Sequence, residues 1–182
     1  ALIFFFSAHI IGVPIWVRLS QKIGKHRCFA VNAIAFCLTT ASFYFPGEGD
    51  VALFILLLFF TGFAHSGLQF AIRSMAADVV DYDNVQTGGQ RTGLYFSLLA
   101  ITAKAGGALA IGITYPLLAF VGFDAQGGNS EDAKFAFRMI YLTIPVIAMA
   151  LAYFAIRGFS LDEAEQQILQ EQIKSRNTVK TS

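Results

Sequence analysis

The chain has 182 residues, 55% hydrophobic and 14% charged, with a formal net charge of +1 and a mean hydropathy of +0.59. An average soluble domain is about 25% charged, so this composition excludes a disordered chain, a nucleic-acid-binding module and a disulfide-stapled secreted scaffold. A polytopic membrane protein remains, with nineteen phenylalanines and a single tryptophan supplying much of its apolar surface.

Five charge-poor windows follow one another along the chain. The first, residues 1–17, has no charged residue. It lacks the basic leader and small-residue cleavage site of a signal peptide, and the chain is expected to start inside a membrane helix of a longer protein. The second, residues 28–47, holds Cys28 and Cys37, about 13 Å apart along a helix at roughly 1.5 Å per residue. That is too far for a disulfide, and both read as small buried hydrophobes. The third is residues 51–72, the fourth residues 92–123, interrupted only by Lys104, and the fifth residues 139–156. A helix needs about 20 apolar residues to cross the hydrocarbon layer, whereas barrel strands would be about 10 residues long and alternating. The expected fold is therefore an all-α membrane protein with helices at about 1–18, 28–47, 51–73, 92–122 and 137–157. These helices make up a bundle over residues 1–158, and residues 159–182 form a tail. In the tail, Leu161, Ala164, Ile168, Leu169 and Ile173 recur at helical spacing, and Ser160 with Glu163 has the form of a capping box, predicting a surface helix.

Lysine and arginine set the orientation. The connection after the first window carries Arg18, Lys22, Lys25 and Arg27, the one after the third Arg73 and Arg91, and the tail Arg157, Lys174, Arg176 and Lys180. The alternate connections hold only Lys134 and Arg138. The basic side, and with it the C-terminus, is expected in the cytoplasm.

Lys104 is the one formally charged residue within a window. Such a residue is by default a functional candidate, and Ser97, Lys104 and Tyr115, spaced by seven and eleven, share its helix face. The alternative is a lysine that snorkels to the interface. In the third window Thr61, His65 and Gln69 fall at i, i+4, i+8, a polar stripe that either lines a cavity or bonds to a neighbouring helix. Between Arg73 and Arg91, Asp78, Asp81 and Asp83 precede a Gly88-Gly89 turn. The Val79-Val80 step and the missing turn glycine argue against a calcium loop; a carboxylate–arginine latch between helix ends, using Asp78, Asp81 and Arg91, is expected instead. Small residues crowd the fourth window (Ala100, Ala103, Ala105, Gly106, Gly107, Ala108, Ala110 and Gly112), where they would admit a close neighbour. Pro14, Pro116 and Pro145 would bend any helix containing them. No window holds an acid, and the chain has no Walker loop, His/Cys metal cluster or Ser–His–Asp set, so neither enzymatic activity nor a bound metal is expected.

The stretch from Pro14 through Trp16, Arg18, Lys22 and Gly24 to Lys25 resembles the loop between helices eight and nine of major facilitator transporters. The run Ser74-Met75 to Asp78, Asp81-Tyr82-Asp83, then Thr87-Gly88 and Arg91-Thr92-Gly93, is similar to the helix ten–eleven loop of the glycoside–pentoside–hexuronide:cation symporters. Lys104 falls where that family carries a lysine on helix eleven. Gly122-Phe123, Pro145 and Phe159 to Glu163 also fit, and the pair Gly89-Gln90 is a departure. The resemblance implies helices 8–12 of a twelve-helix fold with a short cytoplasmic tail helix, in a bacterial inner membrane, with Arg18 joining the cytoplasmic gate. It implies symport of a sugar, glycoside or uronate coupled to Na+ or H+, with no covalently bound cofactor. The cation site would lie in an N-terminal half that these residues do not include. Partners would be the solute, the lipid bilayer and that half, with no nucleic acid. Two alternatives stand beside it: a sodium-coupled lysolipid-type transporter and a non-transporting membrane solute sensor.

Overall fold

The structure is a computed structural model that describes residues 2–47, 49–156 and 168. Among the described residues there are five long helices and no strand: α1 (Leu2–Ile23), α2 (Lys25–Ala41), α3 (Val51–Thr87), α4 (Thr92–Phe120) and α5 (Glu131–Ile156), with a short 3-10 turn at Ser42–Tyr44. All five are long and apolar enough to cross a membrane. The expected tail helix lies outside the described residues.

Two helix starts, Val51 and Thr92, coincide with the window edges, but several ends do not. α1 continues five residues past the expected 18, to Ile23, so the expected basic loop shrinks to Gly24, whose φ of +83° lets the chain reverse between α1 and α2. α2 starts earlier than expected and ends at Ala41. α5 starts at Glu131, six residues before the apolar window predicts. There Ser130 Oγ accepts the Ala133 N–H at 3.2 Å, while Glu131 and Asp132 sit in the first turn, where acids favour the helix dipole.

The largest correction concerns α3. The segment from Arg73 to Thr87, expected as a loop, is the continuation of a 37-residue helix. Nothing between Ile72 and Gly88 breaks a helix, since the run contains neither glycine nor proline. The stop comes at Gly88, whose φ of +71° is the left-handed cap and whose N–H reaches Asn84 O at 2.9 Å. Pro14, Pro116 and Pro145 all lie inside helices. Each removes a donor for the carbonyl four residues back, at Ile10, Gly112 and Tyr141.

Helix packing is tightest along α1 and α3. Gly62 lies against the main chain of Phe5, and Gly12 against Phe63 and Ser66; a Cβ at Gly62 would run into backbone that cannot rotate away. Gly67 lies against Trp16 and against Asn32 of α2. The apolar core joins Phe29 and Ala33 of α2 to Leu68, Ala71 and Met75 of α3, with Met149, Ala152 and Ile156 of α5 packed on it. Among the described residues the glycines of the fourth helix meet no close neighbour. A Cβ at Gly106, Gly107 or Gly112 would meet no atom within 4 Å, and α4 buries none of its residues among those described.

Candidate functional site

A line of polar groups runs between α1 and α3, from their middles to the Gly24 end. Near mid-span His65 Nδ1 stands 3.5 Å from His9 Nδ1, with ring centroids 5.4 Å apart. Phe5 covers both, its ring 5.7 Å from His65 and 6.4 Å from His9. A neutral imidazole has one N–H and one acceptor nitrogen, so an Nδ1-to-Nδ1 contact requires opposite tautomers on the two rings.

Below the histidines, Phe63 O accepts two side-chain hydrogen bonds, from Trp16 Nε1 at 2.9 Å and Ser66 Oγ at 2.7 Å. Asn32 is fully buried beside Trp16 and Gly67, and neither of its amide atoms has a hydrogen-bond partner. Buried amides are nearly always satisfied, which makes Asn32 an exception among the described residues. At the Gly24 end Lys25 Nζ donates to both Asp78 oxygens at 2.7 Å, with Asp78 buried to 2% exposure. Ion pairs of this kind need short, two-pronged geometry to offset the desolvation of the charges.

The structure disperses the predicted polar stripe. Thr61 is buried and its hydroxyl donates to Leu57 O at 2.8 Å, within its own helix. His65 bonds across to α1, and Gln69 is exposed. Each i to i+4 step turns about 40° beyond a full revolution, so over two steps the stripe rotates off the seam. Ser97 donates to Leu94 O at 2.8 Å and is exposed. Lys104 and Tyr115 are exposed on the same helix. Among the described residues Lys104 is not brought to the histidine pair.

The predicted latch is corrected in composition. Asp78 pairs with Lys25, not with Arg91. Arg91 instead reaches Asp83 at 3.6 Å, more than half exposed. Asp81 is half-buried and holds interactions of its own, and Arg18 is exposed. The reason is the unbroken α3: on a helix, Asp78 faces back toward the α1–α2 turn while Asp83 is carried on to the start of α4. Sequence reasoning missed His9, Asn32 and the pairing role of Lys25. A histidine and an asparagine alone in apolar windows were the available signals. Among the described residues no three His, Cys, Asp or Glu side chains are grouped to hold a metal.

Comparison with known proteins gives this geometry its setting. Residues 1–163 match the family model described as MFS/sugar transport protein. The chain is 31% identical over 109 residues to the isoprimeverose transporter of Lactiplantibacillus pentosus, covering 60% of this chain and 22% of that protein. It is 25% identical over 176 residues to the inner membrane symporter YicJ of Escherichia coli (strain K12), covering 93% and 38%. A symporter of Synechocystis sp. is 23% identical over 168 residues, covering 89% and 31%. The chain thus spans between 22% and 38% of the length of these relatives.

Proposed function

Because the chain belongs to the MFS/sugar transport protein family, we propose that it supplies helices 8–12 of a cation-coupled symporter for a small polar solute, a sugar, glycoside or uronate. Transport would proceed by alternating access, one half of the protein rocking against the other around a site near the midplane. The observation that carries this reading is the hydrogen-bonded pair His9 and His65 at mid-span, with Thr61 and Ser66 the buried polar side chains beside it on α3. Polar side chains persist at that depth where they face a partner or a water-filled path. Lys104 on α4 supplies a second polar group at similar depth. The coupling ion is Na+ or H+, held mainly by the part of the transporter that precedes these helices.

Proteoliposomes carrying the full-length transporter test the function. Labelled glycosides, pentosides and uronates should exchange with internal solute, and a Na+ or pH gradient should drive accumulation of at least one. Failure of every solute to exchange, with folded protein in the vesicles, would refute the reading.

In the bacterial inner membrane the Gly24 end would face the cytoplasm, the side on which ten of the thirteen basic residues fall, in keeping with the positive-inside bias. Two exposed positions report this: Gln21 near the end of α1, and Gln126 in the α4–α5 turn. With Cys28 and Cys37 replaced, Gln126→Cys should label fully with a membrane-impermeant maleimide in intact cells, and Gln21→Cys only after permeabilisation. The reverse pattern would invert the topology.

A further inference from the structure

A cavity of about 550 Å³ opens at the opposite end of the bundle from Gly24. Its walls come from the 3-10 turn after α2, the first turn of α3, the end of the α4 connection and the first turns of α5. Five aromatic rings make a continuous lining. Phe123 stacks on Phe137 at 4.5 Å, Phe137 on Tyr141 at 6.4 Å, and Phe43 stands edge-on to Tyr141 at 5.9 Å and to Phe54 at 5.5 Å. Phe43, Phe54 and Tyr141 come from three different helices or turns, so the box exists only in the folded bundle.

Three charged residues line the same cavity: Lys134, Arg138 and Asp50. Lys134 and Arg138 are one turn apart on α5 and therefore project to one side. Asp50 Oδ2 already accepts the Gly47 N–H at 2.9 Å, and Lys134 reaches Glu131 at 2.9 Å. Among the described residues no carboxylate pairs with Arg138. The lining thus holds two cations and one carboxylate around an apolar body of five aromatic rings with Pro46, Val51 and Leu142. Elsewhere this end of the protein is acidic, at Asp124, Glu131 and Asp132, so the two cations on α5 break the local pattern.

The cavity also sits at a definite depth. Lys134 to Leu142 are the first three turns of a membrane-crossing helix, the level at which aromatic belts and basic side chains meet lipid headgroups. A ligand matching a greasy aromatic box with a cationic rim, at that level, has an apolar body and one anionic head. We propose that this cavity is a binding site for an anionic phospholipid, whose phosphate is held by Arg138 and Lys134 and whose acyl chain lies along the rings of Phe43, Phe54, Phe137 and Tyr141. Guanidinium and ammonium groups suit a phosphate by charge-assisted hydrogen bonds. The inference does not depend on which solute is carried.

Native mass spectrometry of the full-length transporter in detergent, titrated with phosphatidylglycerol, tests it. The wild type should retain one phosphatidylglycerol more strongly than the rest. Arg138→Gln with Lys134→Gln should weaken that binding about tenfold or more, the effect of losing hydrogen bonds to a charged group. Phe137→Ala should weaken it with the charges intact, and Glu131→Gln should leave it as tight or tighter. Equal binding by wild type and the double variant would overturn the proposal. So would equal weakening by Glu131→Gln, which would mean that the end of α5 had merely been disturbed. Displacement of the lipid by inorganic phosphate would reassign the cavity to a free anion, and displacement by a transported glycoside would make it a solute vestibule; either result overturns the lipid assignment.

Discussion

Lys104→Ala in the full-length transporter should abolish concentrative uptake while leaving the protein folded and in the membrane. Lys104 lies 12 residues into α4, about 18 Å along the helix axis at roughly 1.5 Å per residue, inside its apolar window. A lysine in such a stretch is retained where something compensates its charge. None of the five apolar windows contains an aspartate or glutamate. The compensating group is then an acid from the preceding helices, an anionic solute, or water in the transport path. The first makes Lys104 a coupling residue: its loss removes the dependence of uptake on the cation gradient while counterflow survives. The second makes it a ligand: solute affinity falls by about 2–5 kcal/mol, the range for truncating one partner of a buried charged pair. Uptake against a gradient, counterflow and equilibrium solute binding, measured on one preparation, separate the two. An alanine variant normal in all three would show that Lys104 only snorkels to the interface.

The same helix shows where sequence reading succeeds and where it stops. Thr92 was legible as its start because the Gly88-Gly89 pair interrupts the backbone just before it. The end of α3 was equally legible, yet hydropathy pointed to residue 73 because apolar windows measure how far a chain stays in lipid, not how far it stays helical. The absence of glycine and proline from Arg73 to Thr87 carried the correct answer. Contacts between helices were less accessible. His65 meets a partner 56 residues away, and no spacing rule on one helix can anticipate a neighbour on another. Among the described residues close packing falls at Gly12, Gly62 and Gly67, because it depends on which faces meet. The family resemblance rested on short loop motifs, and the overall identity to the three relatives is only 23–31%.

Breaking the Lys25–Asp78 pair from one side should destabilise this bundle more than breaking the exposed Arg91–Asp83 pair. Both oxygens of Asp78 lie 2.7 Å from Lys25 Nζ, the carboxylate is 2% exposed, and the pair ties the start of α2 to α3. Lys25→Ala leaves that carboxylate buried without its cation, which costs about 3–5 kcal/mol. Asp78→Asn should cost less, because the amide keeps a hydrogen-bonding oxygen and removes the stranded charge on its own side. Replacing both, with Lys25→Met and Asp78→Leu, should recover most of the lost stability, since well-packed apolar pairs often match buried ion pairs. The Arg91–Asp83 pair provides the contrast: at 3.6 Å and with Arg91 54% exposed, Arg91→Ala should cost less than about 1 kcal/mol. Thermal unfolding of the solubilised transporter ranks these four. A role of the pair in transport is read from the double variant, which keeps the fold but removes the charges. If the pair is broken and remade as the Gly24 end opens and closes, counterflow in the double variant should change in rate at near-normal solute affinity. A double variant with wild-type rates would make the pair a fixed strut between α2 and α3, and a Lys25→Ala variant as stable as the wild type would show that Asp78 is held by its other contacts alone.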